Sequence, residues 1–420
     1  MTWKRVSPEW KGKTYLGADG ISPNDVKQGY LGNCWFLAAC SAVAEYPNRL
    51  EKNMITKKVN EKGIYGFNFW LLGVPHSVYV DDYIPRRKGN RWLVTRPAPD
   101  NSLWPLMMEK AMAKMQGNYA HLNSGKSYRG IRLLRGGPFK RYEPKDMTLD
   151  AIWDKLAEHF SHGDIVTASS MDGSDADQFA SGVTKGHAFS VLGSKRLNNG
   201  DRVVIIRDPH GKDYAGNNKY NNASDVWTPA LLEEIPDGLA DDGKVYLPIE
   251  TFKQDFDGLY ANINTENMKF DYYLALDEKA TEPVHPTDPQ KKGVKHSFKI
   301  VSTEAQRMWV GFTTYDHNIL NKNCGKTFLA NKKLSNAVMP TAESDYNVMM
   351  RSANKGGSIN MDMPYGMKAN EYLDFNIWVT PNPDGANDWS IVAWGEKGPV
   401  YVYEAEGKET KKWTVHSSHR

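Results

Sequence analysis

Residues 25–39 read Asp25-Val-Lys-Gln28-Gly-Tyr-Leu-Gly-Asn33-Cys34-Trp-Phe-Leu-Ala-Ala, and this stretch decides the fold. Gly29 and Gly32 let the chain turn sharply just before a dense apolar run. The run is closed by Pro47, which suits a buried helix from about Cys34 to Tyr46. Asn33 is a good N-cap residue for it. Taken alone, Cys34 on an apolar helix reads first as an inert packing residue. Its position in the first turn gives a second reading, because unpaired backbone N–H groups and the helix dipole there favour a thiolate. Cys40, further along the same helix, reads as core.

A nucleophilic thiol needs a base, a group that orients the base, and donors for a developing oxyanion. His187 follows Gly186 and opens the apolar strand Ala188-Phe-Ser-Val-Leu-Gly. Asp208 ends the next strand, Val203-Val-Ile-Ile-Arg-Asp208-Pro, twenty-one residues later. A turn at Asn198-Asn199-Gly200 joins the two strands as an antiparallel pair, so Asp208 is expected beside His187. Gln28, six residues before Cys34, can bring an amide N–H beside the Cys34 backbone N–H. A cysteine with a histidine 153 residues downstream and a carboxylate beyond it is a thiol-protease arrangement.

Working outward, Trp104-Pro-Leu-Met-Met-Glu-Lys-Ala-Met-Ala-Lys-Met and Leu149-Asp-Ala-Ile-Trp-Asp-Lys-Leu-Ala-Glu-His-Phe are predicted helices. Strand patterns recur at Gly243-Lys-Val-Tyr-Leu-Pro-Ile and Met268-Lys-Phe-Asp-Tyr-Tyr-Leu-Ala-Leu. A Pro- and Lys-rich stretch, residues 278–295, reads as a linker. Beyond it, short alternating segments such as Ser297-Phe-Lys-Ile-Val-Ser and Arg307-Met-Trp-Val-Gly-Phe predict a β-sandwich over 296–420.

Composition narrows the function class. Fifty-three basic against fifty acidic residues in 420 leave a net charge of +3, too balanced to suggest a nucleic-acid partner. No apolar run approaches the roughly 18 residues of a membrane span. The opening Met-Thr-Trp-Lys-Arg-Val has no signal-peptide core. Three cysteines, Cys34, Cys40 and Cys324, cannot form a disulfide framework. A reducing, cytoplasmic setting is therefore expected.

Four segments in order resemble the calpain family of cysteine proteases. Residues 25–39 resemble its D-x-x-Q-G-x-L-G-D-C-W-x-L-A-A segment, and Lys185-Gly-His187-Ala-Phe-Ser-Val its K-G-H-A-Y-S-V segment. Met108-Glu109-Lys110-Ala-Met-Ala-Lys is similar to the family's L-E-K-A-Y-A-K helix. Gly243-Lys-Val-Tyr-Leu-Pro-Ile-Glu-Thr-Phe is similar to the segment that closes the protease core. The resemblance implies an α+β chain: a two-lobed papain-like core over 1–277, its lobes meeting near 140–150, then the all-β sandwich. It implies Cys34 as nucleophile, His187 as base, Gln28 as oxyanion donor and protein substrates for limited proteolysis.

The chain departs from the family where Asp208-Pro-His210-Gly replaces the usual N-P-W-G. An Asp still accepts an imidazole N–H, so it remains suited to orient His187. Calcium is implied as well. Gly20, Asp25 and Glu109 match the first lobe's ligand positions with the hard oxygens calcium takes. Asp242 matches a ligand of the second lobe, but Lys244 stands where a carboxylate is expected. One calcium site, in the first lobe, is the expectation. No EF-hand pattern occurs in these residues.

Other clusters read more simply. Asp172, Asp175 and Asp177 form a solvated loop. His159 and His162 read as helix-end histidines rather than a metal pair. Lys322, Lys326, Lys332 and Lys333 suit either an anionic lipid surface or a protected strand edge. The competing functions are a catalytically silent relative that serves as a protein-binding scaffold, and a lipid- or cytoskeleton-binding module.

Overall fold

The computed structural model of the chain describes residues 1–11, 13–213, 216–278, 294–314, 327–331, 347–351, 360–379, 387–406 and 409–412. The protein is mixed α and β, with several antiparallel sheets and few helices. It divides into two compact units. One takes Met1–Trp70 with Pro75–Asn264, and the other takes Leu71–Val74 with Thr265–Arg420.

The first unit opens with strand β1 (Thr2–Arg5), followed by β2 (Ile64–Leu71), β3 (Val74–Asp81), β4 (Tyr83–Arg87) and β5 (Arg91–Trp92). β1 and β5 flank β4, while β2 and β3 form a hairpin. The sequence reading placed the strands of this region mostly later and missed the hairpin. Its turn residues, Leu72 and Gly73, both take positive φ (53° and 71°), as a two-residue hairpin turn requires. Leucine there hid the signal.

Helix α1 (Cys34–Ala44) starts where the sequence places it and stops two residues earlier than Tyr46. Trp35 through Ala44 are all buried, so the helix is apolar around its whole circumference and runs through the core. Around it lie α2 (Trp104–Met115) and α3 (Ser127–Arg135). α3 approaches α1 at Gly130, where an added Cβ would come within 2.6 Å of the Ala39 Cβ. Cys40 is fully buried with its sulfur 3.7 Å from that of Met108, so it is a packing residue as expected.

The rest of this unit is a six-stranded antiparallel sheet. Its strands are β6 (Phe139–Tyr142), β7 (Ile165–Ser170), β8 (Ala188–Arg196), β9 (Arg202–Arg207), β10 (Lys244–Pro248) and β11 (Phe256–Asn262), in spatial order β10-β9-β8-β7-β11-β6. Ile152 and Leu156 of α4 (Leu149–Ser161) share a core with Val166, Phe189, Val204, Ile206 and Leu247 of this sheet. The β8–β9 hairpin forms as the Asn-Asn-Gly turn predicts, with Gly200 at φ +91°.

Among the described residues, the second unit has two antiparallel sheets, of four and six strands. Phe298, Ile300, Leu373, Val400 and Val402 of the larger sheet share one buried cluster with Met308, Val310, Phe312, Trp389 and Ile391 of the smaller. The strand Lys269–Glu278, which the sequence reading gave to the first region, pairs with Asn387–Gly395 of the second unit. Its Tyr273 and Ala275 pack on that unit's core, which moves the boundary from 277 to 264. Residues 279–293 of the expected linker lie outside the described residues, as do Lys322, Lys326, Lys332, Lys333 and Cys324. Among the described residues, no helix is long and apolar enough to cross a membrane.

Candidate active site

Cys34 begins α1 and is half-buried with a free thiol. The loop before it requires its glycines. A Cβ on Gly29 would stand 2.0 Å from the Val94 carbonyl oxygen, and one on Gly32 would stand 2.7 Å from Asn123 Oδ1. Asn33 occupies the N-cap position but does not cap with its side chain. Its Nδ2 instead donates to Glu109 Oε1 at 2.6 Å, so the expected side-chain cap is absent.

His187 precedes β8 and Asp208 follows β9, and the pairing of Ser190 with Arg207 brings the two to the same sheet end. Gly186 takes φ +56° with its Cα against the Gly173 carbonyl, where a side chain would collide at 2.3 Å. Ser170 fixes the His187 backbone, its Oγ accepting from His187 N at 3.0 Å. His187 Nε2 lies 3.2 Å from Asp208 Oδ1, and both side chains are almost wholly buried. His187 Nδ1 is buried without a hydrogen bond. Burial opposes a charge on His187, but Asp208 and then Cys34 outweigh it and push its pKa up to about 10. Asp208 is held well below the usual carboxylate range: burial works against this, and His187 and His210 overcome it. The structure therefore brings Cys34, His187 and Asp208 together.

A set of side chains the sequence reading missed joins the Cys34 side of the site to the Asp208 side. Arg207 is fully buried; it donates to the Val26 carbonyl at 2.9 Å, Asn24 Oδ1 at 3.2 Å and Ser41 Oγ at 3.2 Å. Lys27 Nζ donates to the Gly211 carbonyl at 2.9 Å. Arg96 donates to the carbonyls of Gln28 (3.2 Å) and His210 (3.0 Å). Gln28 N donates to the Pro209 carbonyl at 2.7 Å, and Gln28 Nε2 to the Leu31 carbonyl at 2.8 Å. The available signal was a single arginine directly after the apolar run Val203–Ile206. Breaking a buried cation of this kind strands its partners, so Arg207→Ala is expected to cost about 3–5 kcal/mol. A lowered urea midpoint checks this, and an unchanged midpoint contradicts it.

The expected calcium positions carry hydrogen bonds within the protein. Glu109 is fully buried with both oxygens engaged, Oε1 by Asn33 and Oε2 by Thr95 N at 2.9 Å. Asp25 Oδ2 accepts from Ser22 N at 2.9 Å and Trp104 Nε1 at 2.6 Å. Burial raises both carboxyls to about 7. Gly20 lines a cavity of about 820 Å³ among Arg5, Lys11, Lys13, Lys57, Lys58 and Glu61. Gly20, Asp25 and Glu109 offer the hard oxygens calcium takes, with Asp25 Oδ2 and both Glu109 oxygens already accepting hydrogen bonds from the protein. Asp242 accepts from Lys244 N at 2.9 Å and Asn24 Nδ2 at 3.1 Å. The Lys244 ammonium pairs with Asp237, which also accepts from Tyr246.

The blander readings are matched by the geometry. His159 is buried between Asp164 (2.7 Å) and Tyr142 (2.9 Å), while His162 is exposed at the end of α4. Asp172, Asp175 and Asp177 are exposed in their loop.

Comparison with known proteins places this site in context. A family model described as "Calpain family cysteine protease" matches residues 1–262. The chain is 31% identical over 254 residues to "Calpain-type cysteine protease DEK1" of Arabidopsis thaliana, covering 58% of this chain and 12% of that one. It is 27% identical over 352 residues to "Calpain-5" of Caenorhabditis elegans, covering 71% and 53%. It is 27% identical over 283 residues to "Calpain-1 catalytic subunit" of Bos taurus, covering 64% and 39%. The matched part is thus between about an eighth and about half of these relatives' lengths. With more than half of its length matched by the family model and its cysteine and histidine segments in that family's order, the chain belongs to the calpain family of cysteine proteases.

Proposed function

We propose that the chain is a cysteine endopeptidase that cuts protein substrates through Cys34, His187 and Asp208, in a two-lobed papain-like core. The observation that carries this reading is the buried His187–Asp208 pair at 3.2 Å, with Cys34 near enough to raise the pKa of the same imidazole. His187 Nδ1 accepts the Cys34 proton, leaving a thiolate and an imidazolium whose charge Asp208 balances. The sulfur attacks the peptide carbonyl carbon, and the carbonyl π electrons move onto oxygen. The Cys34 backbone N–H and the second Nε2 hydrogen of Gln28 stabilise that oxyanion. His187 then returns its proton to the departing amine nitrogen as the C–N bond breaks. Water, deprotonated by His187, cleaves the thioester and regenerates the thiol and a carboxylic acid.

No step passes through calcium. Arg207, Lys27, Arg96 and the Lys244–Asp237 pair support an arrangement in which the chain's own cations hold the site together. A cytoplasmic location rests on the sparse cysteines alone. Hydrolysis of casein in excess EGTA tests the reading. Most of the activity is expected to persist without calcium, and a complete loss restored by calcium would contradict the ion-independent alignment. Failure to cleave casein or any other unfolded protein, with or without calcium, would contradict the endopeptidase itself.

A further inference from the structure

Asp208 does not serve His187 alone. Its Oδ1 accepts from His187 Nε2 at 3.2 Å, from His210 Nδ1 at 2.9 Å and from His210 N at 2.6 Å. The His210 ring lies nearly parallel to that of His187, centroids 4.9 Å apart at 13°. His187 is buried, whereas the His210 side chain is 38% exposed. An imidazole here is a departure from the indole usual in the family, and it adds a titratable donor to the carboxylate that orients the base.

We propose that His210 is a positioning residue for the thiol chemistry, holding Asp208 against His187 through the shared oxygen and, when protonated, competing with His187 for it. This inference rests on the endopeptidase reading. The neutral ring donates one Nδ1–H and fixes the carboxylate without adding charge. The protonated ring sets a second cation on the same oxygen and beside the His187 imidazolium that Cys34 must create. Its surroundings offer little compensation. Arg96 holds the His210 carbonyl, Lys27 holds the next carbonyl, and Arg207 interacts electrostatically with Asp208. Asp241 lines the adjacent cavity with Lys27, Arg96 and Lys212. Protonating His210 therefore weakens the thiolate–imidazolium pair, and activity falls more steeply on the acid side than one ionisation allows.

The test compares kcat, KM and the pH profile of a peptide substrate for the parent protein and for His210→Ala, His210→Asn and His210→Phe, with Cys34→Ala as control. A hydrogen bond to a charged group sets the scale, so His210→Ala and His210→Phe are expected to lose roughly 10- to 100-fold in kcat with little change in KM. Asparagine carries an N–H where the imidazole Nδ1–H stands, so His210→Asn is expected to recover most of kcat. Its acid limb should also be shallower, because the second proton is gone. Equal kcat in the asparagine and phenylalanine variants, or an unchanged acid limb in His210→Asn, overturns the proposal. If the alanine variant does not fold, the asparagine–phenylalanine comparison decides alone. Activity surviving in Cys34→Ala rejects the endopeptidase reading itself, whereas an inactive Cys34→Ala beside unaffected His210 variants rejects only the role of His210.

Discussion

Cys34→Ala is expected to lower the rate of peptide hydrolysis by at least roughly 10⁴-fold, the scale on which removing a nucleophile acts in enzymes whose catalytic groups work as a unit. The fold should survive, because the Cys34 side chain is half-buried at the first turn of α1 while the packing of that helix is made by Trp35 to Ala44. Cys40→Ala makes the contrast. It empties space beside Met108 in the core and should lower stability modestly while leaving most of the activity. Circular dichroism together with casein hydrolysis separates the two. Substantial cleavage by purified, folded Cys34→Ala would reject the assignment.

Asp208→Ala carries the second-largest expected effect. Without Asp208, only Cys34 opposes the burial that disfavours a charged His187, and the imidazole loses the partner of its Nε2. The loss falls on the transition state, so kcat should drop by roughly 10²–10⁴-fold while KM changes little. The sign of the pH effect follows from the same contacts. With Asp208 present, His187 keeps its proton until about pH 10, so alkylation of the Cys34–His187 pair should hold its rate far into the alkaline range. In Asp208→Ala the alkaline break must move down, because the contributions that most raise the His187 pKa are gone and only Cys34 then opposes burial. Asp208→Asn keeps an acceptor for the imidazole N–H and should fall between the two. An Asp208→Ala protein with the parent's kcat and the parent's alkaline limb would remove Asp208 from the mechanism.

The parts of this site that were legible in the sequence are those encoded by neighbouring residues. Gly29, Gly32 and the apolar run after Asn33 specify the start of α1, and with it the position of Cys34. The Asn198-Asn199-Gly200 turn sets the pairing of β8 with β9, and a one-residue register shift between Val191 and Gly193 precedes the sheet end where His187 and Asp208 lie. What depends on distant partners was not legible. Arg207 stands in an apolar strand, and its acceptors at Asn24, Val26 and Ser41 lie more than 160 residues away. Glu109 sits on the expected helix, but only the folded chain brings Asn33 and Thr95 to its two oxygens. The β2–β3 hairpin was hidden because Leu72 occupies a position where glycine or asparagine usually signals the turn, and Pro75, His76 and Ser77 interrupt the apolar alternation. The strand Lys269–Glu278 was seen but given to the wrong unit, since its alternation does not say which sheet it will join.

The central claim is that Cys34 is a nucleophile activated by His187. The most direct measurement is mass-spectrometric mapping of a thiol-directed epoxide probe on the intact chain at neutral pH, comparing the parent protein with His187→Ala. The expected result is one modified site, Cys34, reacting far faster than Cys40, with the rate collapsing in His187→Ala. Modification spread equally over the cysteines, or labelling of Cys34 at the same rate without His187, would contradict it.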